Sequence, residues 1–270
     1  LSERFPAVDR RAARRRFERA ARTYEGAARL EQEVGARMLE RLDYMKIAPR
    51  RILDAGSGPG RDAARLARRY KGARVVALDF SPAMLRAGRR RLLERRDFVA
   101  GDLTRLPIAA NAMDFVWSNM ALHWADAEAA LREFARVLAP EGLLMFSTLG
   151  PDSLKELRAA AGAGRVHAFV DMHDLGDLLV AAGFTAPVMD MELITFSYED
   201  ARRLLGDLRA SGQTSAREDR PRGLAGREFL TRVTSTTGTR ATFEVVYGHA
   251  WKGAPRKLAD GRDIVRFRAR

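Results

Sequence analysis

The 270-residue chain contains no cysteine. Disulfides, thiolate nucleophiles and Cys-ligated zinc or iron–sulfur centres are therefore excluded, and the redox compartment is left open. Histidine is scarce: His123, His167, His173 and His249 show no HExxH or HxH spacing, so no metal site is expected. No apolar run approaches the roughly 20 residues that cross a bilayer, so no transmembrane helix is expected. Lysine supplies only five of the 48 basic residues, and arginine dominates a net charge of +13. That balance marks either a surface for an acidic partner or the compositional bias of an Arg/Ala-rich chain.

A hydrophobic content of 46% beside 31% charged residues describes a globular protein, not a disordered one. The length suits one large α/β domain, with or without an insertion. Residues 1 to 22 concentrate eight arginines against three acids. This arm reads as a docking surface, and its composition also imitates a transit peptide. Phe17, Ala20, Ala21, Tyr24 and Ala28 run at helical spacing into the rest of the chain, which favours a packed helix. Leu1 stands where an initiator methionine is expected, as a non-AUG start or a trimmed end would leave it.

After a second helix at about 30 to 45, strands and helices alternate. Strands are expected at 50–55, 73–80, 97–102, 113–119 and 142–150, with helices at 61–70 and 126–138 between them. Ser81-Pro82 is an N-cap followed by a first-turn proline. The alternation predicts a parallel, doubly wound, Rossmann-like sheet. Beyond residue 150, helices are expected at 151–160, 171–184 and 197–212, the last with a Ser197/Asp200 capping box. Strands are expected at 188–196 and 242–251. In the second, Phe243, Val245 and Tyr247 alternate as on an antiparallel edge strand. Residues 214 to 228 read as a polar, mobile loop. The later helices read as insertions over the C-terminal ends of the strands, where α/β ligand sites lie. The resulting division is an N-terminal helical lid (1–46), a nucleotide-binding core (47–150), and cap insertions with the C-terminal strands (151–270).

The stretch "LDAGSGPG" (53–60) ends an apolar strand on an acid and then alternates glycines with small residues. Such a loop lets backbone approach a ligand closely and presents the free N–H groups of the next helix. It is no P-loop, because Gly60 is followed by Arg-Asp and not by Lys-Ser/Thr. It is one residue shorter than a dinucleotide fingerprint, and Asp54 would repel a pyrophosphate. Asp79, at the end of the second strand, stands where an acid takes ribose hydroxyls. Ribose at Asp79 and a cationic amine near Asp54 together describe S-adenosylmethionine.

"LDAGSGPG", "VVALDFSPAML", "GDLTRLP" and "MDFVWSNMALHW" resemble successive signatures of the class I methyltransferases that use S-adenosylmethionine. The resemblance implies a seven-stranded, mostly parallel sheet with an antiparallel C-terminal edge strand, helices on both faces and helical cap insertions. It implies that Asp54, Gly56, Gly58 and Gly60 hold the methionine end and that Asp79 takes the ribose. Asp102 would reach the adenine amine, with Phe80, Met84 and Leu103 walling the base, and Asn119 would line the reaction cavity. Met84 and Leu103 read equally well as core packing.

Residues 19–39, 118–160, 166–184 and the ending "FEVVYGHAWKG…DGRDIVRF" resemble the malonyl-acyl-carrier-protein O-methyltransferases of biotin synthesis. That similarity implies methyl transfer to the free carboxylate of a malonyl thioester, on acyl-carrier protein or coenzyme A, in a bacterial cytoplasm. A carboxylate acceptor needs no general base, and no nucleophilic triad is found. The family's tyrosine corresponds to Tyr24, which reads as a lid over the cofactor or as a plain core aromatic. His123, beside Trp124, reads as a hydrogen-bond donor to the acceptor or as a structural histidine, and His167 and Phe169 as the roof of the pocket or as packing. Lys155 and Arg158 are candidates for the acceptor carboxylate or ordinary helix surface. Arginines 10, 11, 14, 15 and 16 are candidates for docking an acidic carrier. Complex I assembly proteins of methyltransferase type share the "KELRAA" and "DLGDLL" segments and stay as an alternative, as does a non-catalytic scaffold. Neither nucleic acid nor a membrane is expected as partner: strand four ends "SNMALHW", without the [DNS]PP[YFW] motif.

Overall fold

A computed structural model of the protein describes residues 7–89, 97–221, 223 and 226–254. The "DGRDIVRF" segment at 260–267 lies outside the described residues. Seven strands, β1 (Arg51–Ala55), β2 (Arg74–Asp79), β3 (Asp97–Ala100), β4 (Met113–Ser118), β5 (Leu138–Leu149), β6 (Phe184–Ser197) and β7 (Arg240–Lys252), form one sheet in the order β3-β2-β1-β4-β5-β7-β6. The pairs from β3 through to β5 are parallel, and β7 is antiparallel to both β5 and β6.

Strand side chains alternate between two cores because successive Cβ atoms point to opposite faces. Ile52, Val75, Ala77, Phe115, Trp117 and Met145 pack on one face. Leu53, Val76, Leu78, Val116, Leu144 and Phe146 pack on the other. Strands covered on both sides read as continuous apolar runs, which is why β1, β2, β4 and β5 were legible as sequence.

The antiparallel strand expected near the C-terminus is present, one place in from the edge. β7 lies between β5 and β6 and is buried along most of its length, whereas β6, with alternating exposure, is the edge. Phe243, Val245 and Tyr247 are all buried, and the reading of 242–251 as the edge strand is corrected: the antiparallel edge is β6.

The helices are α1 (Arg10–Ala20), α2 (Tyr24–Ala27), α3 (Arg29–Arg41), α4 (Arg61–Arg69), α5 (Pro82–Arg89), α6 (Ala127–Val137), α7 (Lys155–Ala161), α8 (Met172–Ala181), α9 (Ala201–Ala210) and α10 (Arg227–Thr236). The run from Phe17 to Ala28 is not one helix. The Thr23 hydroxyl reaches the carbonyls of Ala20 (3.1 Å) and Ala210 (2.7 Å), and the chain turns before α2. At α9 the cap is Asp200, which accepts from Arg203 N–H at 2.8 Å, while Ser197 ends β6; the capping box is not made. α10 carries no clear helical signal in the sequence, and its first two residues fall within the expected loop at 214–228. Its one buried residue is Val233, too little for an apolar stripe. Within the expected loop, Val8 and Arg217 form an antiparallel bridge.

Candidate functional site

β1 is flanked by β2 and β4, so the chain reverses its winding direction at the carboxyl end of β1. Open α/β sheets bind ligands in the crevice at that point. Three glycines shape the crevice. Gly56, Gly58 and Gly60 have φ of 80°, 53° and 81°, a region costly for residues with a Cβ. A Cβ on Gly56 would lie 2.2 Å from that of Ala121. Gly58 faces the Tyr24 ring, 3.6 Å from where its Cβ would be. Gly60 is the N-cap of α4, where it turns the chain into the helix, and it lies outside the lining of the cleft.

Asp54 and Asp79 end their strands and are both buried. One Asp54 oxygen accepts the Ala63 N–H at 2.8 Å, capping α4 from below. Asp79 accepts from Gly58 N–H (2.9 Å) and Ser81 N–H (2.7 Å), which ties the glycine loop to the start of α5. Phe80, Met84, Asp102 and Leu103 line the same cleft with Asn119. Asp102 accepts from the Thr104 N–H and hydroxyl and pairs with Arg10 of α1. Asn119 is locked: its amide donates to Asp62 and to the Glu31 carbonyl, both at 2.8 Å, and its oxygen accepts from Ser147.

Around the inner end of the cleft lies a group of acids that sequence reasoning only half found. Glu31, Asp54, Asp62 and Asp79 are all buried, and no ion pair to Glu31, Asp54 or Asp79 is seen among the described residues. Burial raises the Glu31 carboxyl to about 7, and that of Asp79 to about 6. It also drives Asp54 well above the usual carboxylate range, helped by the neighbouring Asp62 and Asp79 charges. Asp62 is raised as well, chiefly by burial. A site of this kind favours a ligand that brings positive charge. Asp62 follows the glycine loop by two residues and was within reach of sequence reading. Glu31 sits beside Leu30 on an amphipathic helix and carried no such mark.

α1 and α2 lie over the cleft. Phe17 meets Phe80 edge-on at 5.7 Å and Trp124 at 5.2 Å, and Tyr24 lines the cleft above Gly58. Burial and the charges of Glu31, Asp79 and Asp62 raise the Tyr24 phenol well above its usual value.

A second cavity of about 180 Å³ adjoins the cleft, lined by Leu157, Val166, His167, Phe169, Leu208 and Phe243 among others. Trp124 and Gln213 line both. His167 and Phe169, the expected roof residues, both line this second cavity and not the cleft itself. His123 is buried behind them, its Nδ1 3.2 Å from the Thr148 hydroxyl, and it faces a different cavity. The His167 Nε2–H donates to the His123 carbonyl at 2.8 Å. Lys155 and Arg158 are not brought to either cavity. Lys155 is exposed, and Arg158 donates to the carbonyls of Pro151 and Ser153, both at 3.1 Å. Arg158 is part-buried, its Nε without a partner among the described residues, while Arg29, Arg165 and Arg209 line the second cavity.

The comparisons with known proteins agree with this geometry. Residues 53–146 match the family model described as a methyltransferase domain. A malonyl-[acyl-carrier protein] O-methyltransferase of Methylovorus sp. is 49% identical, over 97% of this chain and 96% of that protein. One from Laribacter hongkongensis is 48% identical over 96% of each. The chain belongs to the malonyl-[acyl-carrier protein] O-methyltransferase family. The YcgJ protein of Bacillus subtilis shares the fold, with a TM-score of 0.59 at 15% identity, over 81% of this chain and 98% of that one. The two cavities meet at Trp124 and Gln213.

Of the five arginines considered for docking, three are engaged within the chain. Arg10 pairs with Asp102, Arg14 with Glu18, and Arg16 donates to the carbonyls of Thr214 and Ser215. Arg11 and Arg15 are exposed. Among the described residues no helix is long and apolar enough to cross a membrane, and no group of three or more His, Asp or Glu could hold a metal.

Proposed function

We propose that the protein transfers the methyl group of S-adenosylmethionine to the free carboxylate of a malonyl thioester carried on acyl-carrier protein. The observation that carries this reading is the meeting of an acid-lined crevice with a second, mostly apolar cavity in a chain of this family. The residues present fit the methyl donor. Buried carboxylates that lack a cation suit its ammonium and sulfonium charges, and the glycine cradle leaves room for the backbone of the loop to approach it. Asp79 would take the ribose, Asp54 the amino-acid end, and Phe80, Met84 and Leu103 the base. Asp102 would serve the adenine amine once Arg10 yields or shares it.

Bound there, S-adenosylmethionine supplies a methyl carbon activated by positive sulfur. The acceptor carboxylate is ionised at neutral pH, so its oxygen would take the methyl carbon directly while the carbon–sulfur electron pair stayed with sulfur. No proton moves. The protein's contribution is alignment and exclusion of water, and holding two reactants in line is worth about 7–11 kcal/mol. Phe17 and Tyr24, on helices that lie over the crevice, support the lid reading of the N-terminal segment.

The test is methyl transfer from isotope-labelled cofactor to malonyl-acyl-carrier protein, with malonyl-coenzyme A in a parallel arm. Label recovered as a base-labile ester on the carrier is the expected result. Binding of cofactor without transfer to either thioester would overturn the reading in favour of a scaffold. Growth of a biotin-requiring strain lacking its malonyl methyltransferase, when given this chain, tests the same assignment in cells.

A further inference from the structure

Among the described residues, the two side chains that line both cavities are Trp124 and Gln213, and both end in N–H donors. The Trp124 indole N–H is buried and has no hydrogen-bond partner among the described residues. A buried donor without a partner is uncommon and points to a group that has yet to arrive. Gln213 donates one amide N–H to the Glu31 carboxylate. That bond fixes which way the amide faces; the amide also meets the His123 ring, and its second N–H is the one assigned to the junction. No arginine or lysine lines both cavities.

We infer that the Trp124 indole N–H and the Gln213 amide N–H, the latter oriented by Glu31, are the groups that position the acceptor carboxylate for attack. This inference rests on the function proposed above and names the residues that set its acceptor specificity. The chemistry of the reaction favours neutral donors at this point. A guanidinium or ammonium would repel the sulfonium it must face, and it would draw off the charge the carboxylate needs as nucleophile. Two N–H donors relieve the burial of the anion without either effect.

The fold couples this pair to the N-terminal helix. Gly212, with φ of 77°, packs so closely that a Cβ would lie 3.0 Å from the Phe17 ring. Arg16 donates to the carbonyls of Thr214 and Ser215 on the other side of Gln213. Phe17 also packs against Trp124. Both donors are thereby held by α1, so seating of that helix over the crevice also sets the acceptor site.

The experiment compares the wild type with Gln213→Leu and with Trp124→Phe, which keeps a ring and removes the N–H. Three quantities are measured: affinity for S-adenosylhomocysteine, KM and kcat for malonyl-acyl-carrier protein, and inhibition by a malonyl thioester of N-acetylcysteamine against its methyl ester. Each variant should raise KM roughly 10- to 100-fold, the range for loss of a hydrogen bond to a charged group. S-adenosylhomocysteine affinity should stay within about twofold, and the preference for the acid over the ester should disappear. A merely structural role would weaken acid and ester alike. Unchanged KM and unchanged acid preference in both variants would overturn the inference. Should Gln213→Leu fail to fold, Trp124→Phe and Gln213→Asn decide by the same acid-to-ester ratio. If the wild type transfers no methyl group, the function falls, and calorimetry of acid against ester on the S-adenosylhomocysteine-loaded protein still decides the subsite.

Discussion

Replacing Asp79 with Asn should exchange one penalty for another, and pH separates the two. In the wild type, burial raises the Asp79 carboxyl from 3.8 to about 6. A carboxyl whose folded value lies above its unfolded value binds more protons in the native state, so stability falls as pH rises between those values. A difference of about two units corresponds to about 3 kcal/mol, absent below pH 4 and complete above pH 6 to 7. Asn carries no such penalty. Its NH2 cannot accept, however, whereas the hydroxyl oxygen of even the protonated acid still can, so either Gly58 N–H or Ser81 N–H loses its acceptor. An unsatisfied buried donor costs about 1–3 kcal/mol. Asp79→Asn should therefore be less stable than wild type at pH 4 to 5 and equal or more stable at pH 7.5. Roughly half of the swing falls between pH 5 and pH 7.5, a relative change in melting temperature of roughly 3–6 °C for a chain of this size. Calorimetric melts of both proteins across that range measure it. A stability difference that does not vary with pH would refute the assignment of a burial penalty to Asp79. The same variant should lose S-adenosylhomocysteine affinity at pH 7.5, where the ribose loses its charged acceptor, and less at pH 5, where the Asp79 carboxyl is largely protonated.

Three further perturbations follow from named contacts. Gly56→Ala places a Cβ 2.2 Å from that of Ala121 at a φ of 80°, so melting should drop by an amount equivalent to more than about 1 kcal/mol, and cofactor affinity should fall with it. Tyr24→Phe retains the ring over Gly58, so kcat should drop while S-adenosylhomocysteine binding and melting temperature change little; unaltered kinetics would remove the phenol from the reaction. Lys155→Ala removes an exposed side chain that lines neither cavity, so KM for the carrier-bound substrate should stay within twofold of wild type. A large KM increase would return Lys155 to the acceptor site.

The succession of strands along the chain through β5, the glycine loop, and Asp54 and Asp79 at the strand ends were all legible in the sequence, because each is written in neighbouring residues. A strand buried on both faces must be apolar throughout, a turn with positive φ selects glycine, and the strand-end acids stand at fixed distances from that turn. The pairing of β7 on both sides, the exposure of Lys155, the capture of Asp102 by Arg10 and the junction of Glu31, Trp124 and Gln213 were decided by tertiary structure. Those three residues lie 93 and 89 positions apart along the chain, so no period or spacing relates them. They meet because the sheet places the loop after β4 opposite the segment after α9, with the N-terminal helices closing over both.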